Sequence, residues 1–141
     1  MGKTKVILVD DHTIFRKGLF TVLKRMEDIE VVAEFSNGKE FVNHLSYELT
    51  DLVFMDVRTP EMNGIEATKT ALSMYPTIRI LALSMYGEES YLQGMIEAGV
   101  RGFLLKNIKK AELELAISRV LNGNKYYSPE LIPFLNKQIF T

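Results

Sequence analysis

Short runs that are apolar at nearly every position alternate along this chain with longer stretches that are apolar only every third or fourth residue. Residues 6–9, 52–55, 78–83 and 102–105 form the first kind, residues 30–35 show a weaker version of it, and each reads as a strand. A run that is apolar throughout suits a strand covered on both faces. Between these runs, Phe15, Leu19, Val22, Leu23 and Met26 recur at helical spacing. So do Ile65, Thr68, Leu72 and Tyr75, then Leu92, Met95 and Ile96, then Leu113, Ala116, Ile117, Val120 and Leu121, with a shorter helix around Phe41, Val42 and Leu45. Pro76, Gly99 and Asn122-Gly123 fall where helices should stop. Five strands alternating with five helices predict parallel βαβ units with right-handed crossovers. The expected fold is α/β, an open doubly wound sheet with helices on both faces. In such sheets ligands bind beyond the carboxyl ends of the strands.

At 141 residues the chain holds one such domain and a short extension. Its 17 basic and 18 acidic residues nearly cancel, which argues against a chain whose main work is gripping nucleic acid. It has no cysteine, so a disulfide scaffold, a thiolate zinc site and a cysteine nucleophile are excluded. No apolar run is long enough to span a bilayer, and residues 1–5 do not open a signal-peptide core. A cytoplasmic location without a membrane partner is the default expectation.

The first strongly polar residues after the strands are the informative ones. Strand one ends in Asp10-Asp11, strand three in Asp56, strand four in Ser84 and strand five in Lys106. All should emerge from one edge of the sheet. If strands one and three are neighbours, three carboxylates converge, and like charges need neutralising. A hard divalent cation with oxygen ligands does this, and Mg2+ suits a site with few carboxylates. Neighbouring strands lie roughly 4.8 Å apart, so a short serine on the near strand and a long lysine on the far one both reach a group held at Asp56. An aspartate can attack phosphorus to give an acyl phosphate, with the cation, the ammonium and the hydroxyl stabilising the transferred oxygens.

These residues resemble the receiver domain of two-component response regulators over about residues 4–122. The resemblance rests on Val9-Asp10-Asp11, on Met55-Asp56-Val57-Arg58-Thr59-Pro60 with Gly64, on Ser84, and on Phe103-Leu104-Leu105-Lys106. It implies a flavodoxin-like (βα)5 sandwich with a parallel five-stranded sheet of order 2-1-3-4-5. It implies Asp56 as phosphoacceptor, and Asp10, Asp11, Asp56 and the backbone carbonyl of Arg58 as the Mg2+ site. Ser84 and Lys106 would contact the phosphoryl group, and Ser84 and Phe103 would form the switch. The donor would be a sensor histidine kinase, and phosphorylation would drive homodimerisation.

A narrower likeness, to NarL/FixJ-type (LuxR-family) receivers, rests on residues 11–19, on Ser84-Met85-Tyr86 and on residues 98–106. Such regulators usually bind DNA through a C-terminal helix-turn-helix domain. Residues 1–124 are therefore expected to form the receiver; residues 125–141 could pack back on it, but are expected to begin a linker to such a domain. Ser128-Pro129 looks like a helix start within it. Three positions depart from the wider pattern. Asn107 replaces a common proline, Met85 is bulky beside the hydroxyl position, and Phe103 lacks a tyrosine hydroxyl.

Plainer roles compete with these. Asp10, Asp11 and Asp56 could each be caps, and Phe103 simply core. His12 is expected to face solvent and is given no chemistry, and His44 is expected on the surface. Arg16, Lys17, Lys24 and Arg25 read as a solvated helix face. Asn37-Gly38 reads as a turn and helix entry. An Asp-based phosphohydrolase usually has a second carboxylate two residues on, where this chain has Arg58. A flavodoxin-type nucleotide binder needs a Ser/Thr/Gly-rich first loop, where this chain has Asp10-Asp11-His12. A phosphorylation-independent interaction module would have no need of the acidic set with Ser84 and Lys106.

Overall fold

The computed structural model describes residues 2–45, 50–85 and 87–135, so Tyr86, Ile139 and Phe140 lie outside the described residues. The elements follow the predicted alternation: β1 (Thr4–Val9), α1 (Thr13–Lys24), β2 (Ile29–Phe35), α2 (Gly38–His44), β3 (Leu52–Asp56), α3 (Gly64–Met74), β4 (Arg79–Ser84), α4 (Leu92–Ala98), β5 (Gly102–Leu105), α5 (Lys110–Leu121) and β6 (Tyr126–Tyr127). All strand pairs are parallel. The order is β2-β1-β3-β4-β5-β6, so the expected five-strand order holds and a two-residue sixth strand extends the β5 edge.

Strand alternation divides the core into two layers. Ile7, Val9, Val53, Met55, Ile80, Ala82, Phe103 and Leu105 pack with Phe41, Ala67, Ala71, Leu92 and Met95 from α2, α3 and α4. The intervening Val6, Leu8, Leu52, Phe54, Leu81, Leu83 and Leu104 pack with Leu19, Leu23, Leu113, Ala116, Ile117 and Val120 from α1 and α5. Each valine, leucine, isoleucine, phenylalanine or methionine among them contributes about 1.5–3 kcal/mol when fully buried. Both faces of the inner strands are therefore covered, which explains their unbroken apolar runs. β2 and β6, at the two edges, are half-buried along most of their length, and their apolar patterns are correspondingly weak.

Local chemistry fixes the helix entries. The Asn37 side chain accepts from the Glu40 amide at 2.9 Å and starts α2. The Asn63 side chain does the same for Glu66 at 3.0 Å and starts α3. Gly64 follows because a Cβ there would lie 2.6 Å from the Asp56 carbonyl oxygen, so α3 begins tight beneath the end of β3.

The C-terminal segment packs back on the domain. The Ser128 amide donates to the Phe103 carbonyl at 3.0 Å, and Leu131 is buried beside the α2–α4 layer. Pro129 opens a short 3-10 turn, but the Ser128 hydroxyl does not cap it. Instead its oxygen accepts from the buried Leu105 amide at 3.1 Å. Ser128→Ala would leave that N–H unpartnered, at a cost of roughly 1–3 kcal/mol. Urea unfolding should show the variant's midpoint lowered with an unchanged slope, whereas an unchanged midpoint would show the bond to be idle.

Candidate functional site

The carboxyl ends of β1, β3, β4 and β5 open on one edge of the sheet. Strand parity decides which polar side chain goes where. Asp56 follows Leu52 and Phe54 onto the α1/α5 side, and Lys106 follows Leu104 onto the same side. Ser84 follows Ile80 and Ala82 onto the opposite side, the one occupied by Phe103.

Asp10 and Asp56 are each only 1% exposed. The Lys106 ammonium bridges them, 2.8 Å from Asp10 Oδ2 and 3.3 Å from Asp56 Oδ2, with its side chain 4% exposed. It also stands 5.0 Å from the centre of the Phe15 ring, whose electron-rich face favours a cation. The two oxygens of Asp10 have different duties. Oδ1 accepts from the His12 amide at 2.8 Å and shapes the entry to α1. Oδ2 is buried and, despite its ion pair, has no hydrogen bond of sound geometry. Asp56 Oδ1 accepts from the Arg58 amide at 3.2 Å.

The electrostatics are those of crowded, dehydrated acids. Burial first, and the neighbouring Asp10 charge second, push the Asp56 carboxyl up from 3.8 to about 7. Lys106 and the Arg58 amide pull in the other direction. The protein's own groups thus leave Asp56 under-compensated near neutral pH. One ligand atom from each of Asp10, Asp11, His12 and Asp56 lies within 4.8 Å of the others. The orphaned Asp10 Oδ2 is an oxygen of the kind a hard cation takes, so the donor set fits a divalent metal.

The residues expected to meet are thus partly together. Asp10, Asp11, Asp56 and Lys106 form one cluster. Arg58 reaches it through its amide, while its guanidinium turns outward to Glu88 at 3.6 Å. Ser84 is buried at the neighbouring strand end and is tied to the site by the Lys106 amide, which donates to its carbonyl at 2.8 Å. Among the described residues its hydroxyl makes no hydrogen bond into the cluster. Phe103 is fully buried in the α2–α4 layer.

Two expectations need correction. His12 does not simply face solvent. Its ring is half-exposed, but Nδ1 lies 3.2 Å from Asp10, 3.9 Å from Asp11 and 3.7 Å from Asp56. The cause is its position: it is the residue before the first helical one, with extended backbone (φ −79°, ψ 91°), so its side chain leans back over the end of β1. Arg16 is not part of a solvated face either. One turn into α1, it hydrogen-bonds Glu34 at 3.1 Å and the Asp10 carbonyl, clamping the acidic loop to β2. The signal for both was their distance from Asp10-Asp11, two and six residues, which places them on the first turn above the loop.

Comparison with known proteins agrees with this geometry. Residues 6–118 match the response regulator receiver domain family. Over 137 residues, 97% of the chain, it is 32% identical to the transcriptional regulatory protein DegU of Brevibacillus brevis, of which it spans 58%. It is 32% identical to the response regulator GacA of Pseudomonas syringae pv. syringae over 90% of the chain and 59% of that protein. The chain thus spans less than two thirds of these curated relatives. Among solved structures, a LuxR-family two-component response regulator from Aurantimonas sp. SI85-9A1 superposes with a TM-score of 0.89 at 30% identity, covering 99% of this chain and all of that one. On its fold, on the acidic cluster at the strand ends and on these matches, the chain belongs to the response regulator receiver domains, among the relatives of DegU- and LuxR-type regulators.

Proposed function

We propose that Asp56 accepts a phosphoryl group from a sensor histidine kinase in a Mg2+-dependent reaction, and that the phosphorylated domain dimerises to control transcription. The observation that carries this is the placement of Asp56: a buried carboxylate at a strand end, flanked by Asp10 and by the Lys106 ammonium. An Asp56 carboxylate oxygen attacks the phosphorus of a phosphohistidine. The P–O bond forms as the P–N bond breaks, and the imidazole leaves with a proton from solvent. Asp10, Asp11, Asp56 and the Arg58 carbonyl would hold the metal, which when bound offsets charge on the transferred oxygens. Lys106 favours the ionised form of Asp56 and follows the new charge, and the Ser84 hydroxyl turns toward it.

The readout then runs through the strand ends. Ser84 and Phe103 share one face of the sheet, so a shift of Ser84 is felt in the layer that holds Phe103. Phe103 is already inside, so phosphorylation would hold it there rather than draw it in. Residues 1–124 act as the receiver. Residues 125–141 lead from it toward a helix-turn-helix domain through which DNA is reached. The chain is a cytoplasmic switch, and the only reactions it catalyses are its own phosphotransfer and dephosphorylation. The Arg58 guanidinium, paired outward to Glu88, is no substitute for the acid–base carboxylate of a phosphohydrolase.

With acetyl phosphate and Mg2+, intact-mass spectrometry should show one added phosphoryl group on the protein and none on Asp56→Asn. Labelling that persists in the variant would refute the assignment. Stability gives a second check. The folded Asp56 binds its proton more tightly than the unfolded one, so its contribution to stability is fully present below about pH 3.8 and is lost as pH rises through about 7. Asp56→Asn should therefore unfold at nearly the wild-type urea concentration at pH 4 and at a clearly higher one at pH 8. Added Mg2+ should narrow the gap at pH 8 by stabilising the wild type. A gap independent of pH would show that Asp56 is not the strained acid.

A further inference from the structure

The phosphotransfer scheme uses three carboxylates, a lysine and a serine, and leaves one pocket group without work. That group is His12. Its Nδ1 lies 2.6 Å from Lys106 Nζ. An ammonium offers hydrogens only, so in that contact Nδ1 is the acceptor. A ring nitrogen that accepts from a cation beside three carboxylates stands where a metal ion could replace that cation. The same ammonium touches Asp10 Oδ2, the buried oxygen with no sound hydrogen bond. One positive group therefore covers a nitrogen and an orphaned oxygen that both face the same space.

The spacing matches a small coordination sphere. Nδ1 stands 3.2, 3.7 and 3.9 Å from oxygens of Asp10, Asp56 and Asp11. Bonds of about 2.0–2.2 Å in a tetrahedron set ligand atoms roughly 3.3–3.6 Å apart. All four donor atoms lie within 4.8 Å of one another, so the wider pairs must draw inward to close such a sphere. Mg2+ takes oxygen and keeps its water, whereas imidazole nitrogen favours late first-row cations.

We propose that this pocket is also a site for a zinc-class divalent cation, with His12 Nδ1 as a ligand beside Asp10, Asp11 and Asp56. This rests on the reading that the acidic cluster holds a divalent metal, and it adds which metals it distinguishes. The bound cation takes the place of the Lys106 ammonium on Asp10 and His12, so the lysine retreats to Asp56.

The test is calorimetric titration of Zn2+ alone and Mg2+ alone into the wild type, His12→Ala and Asp11→Asn. His12 is half-exposed and its side chain makes no cap bond to α1, so the alanine variant should fold. His12→Ala should weaken Zn2+ binding roughly tenfold or more while leaving Mg2+ binding unchanged. Asp11→Asn should weaken both. Nitrogen-15 NMR of the wild type should show the His12 Nδ1 resonance moving with Zn2+ and not with Mg2+. Equal Zn2+ affinity in the wild type and His12→Ala, or movement confined to Nε2, overturns the proposal and leaves the Mg2+ reading standing. If the wild type binds neither cation, the metal reading of the acidic cluster falls, and this proposal with it.

Discussion

Two carboxylates held out of water on adjacent strands are the demand around which this domain is arranged. Asp10 and Asp56 repel each other, and each is almost wholly shielded from water. Positive charge must therefore be brought to them. The lysine that supplies it comes from two strands away, and its stem is long enough only because β5 ends level with β4. A second cation, Arg16, does not touch the carboxylates. It grips the backbone that carries them and so prevents the loop from relaxing outward. Much of the architecture at this edge is explained by keeping an unfavourable pair of charges both close and compensated.

That arrangement was largely legible in the sequence where burial is complete. β1, β3, β4 and β5 are covered on both sides, so their apolar runs are unbroken and their ends are marked by the first polar residue. Asp10, Asp56 and Lys106 could be placed on one edge by this argument alone. Legibility failed where one tertiary contact outweighs local pattern. β6 is two half-buried tyrosines with no apolar run around them. Ser128 stands in a Ser-Pro-Glu context that reads as a helix start, yet its hydroxyl is spent on a strand amide 23 residues away. His12 and Arg16 looked like surface residues because polar residues at the start of an amphipathic helix usually face water; only their closeness to Asp10-Asp11 marks them as lying over the site.

The two faces of the sheet divide the labour. Charge gathers on the α1/α5 side, with Asp56, Lys106 and the Phe15 ring. The hydroxyl of β4 and the aromatic of β5 lie on the other side, against α3 and α4. A chemical event on the first side can reach the second only through the strand ends. There the coupling is one short hydrogen bond: Lys106 donates its amide to the carbonyl of Ser84 at 2.8 Å, so a charged residue of one face and a buried residue of the other are tied through their backbones.

The Ser128 contact extends this chain of dependence. Leu105 gives its amide to Ser128, and the next amide along, that of Lys106, goes to Ser84. Successive peptide groups of a single strand thus anchor the departing polypeptide and the wall of the acidic cleft. The place where the chain leaves the sheet is thereby moored to the same strand tip that walls the cleft.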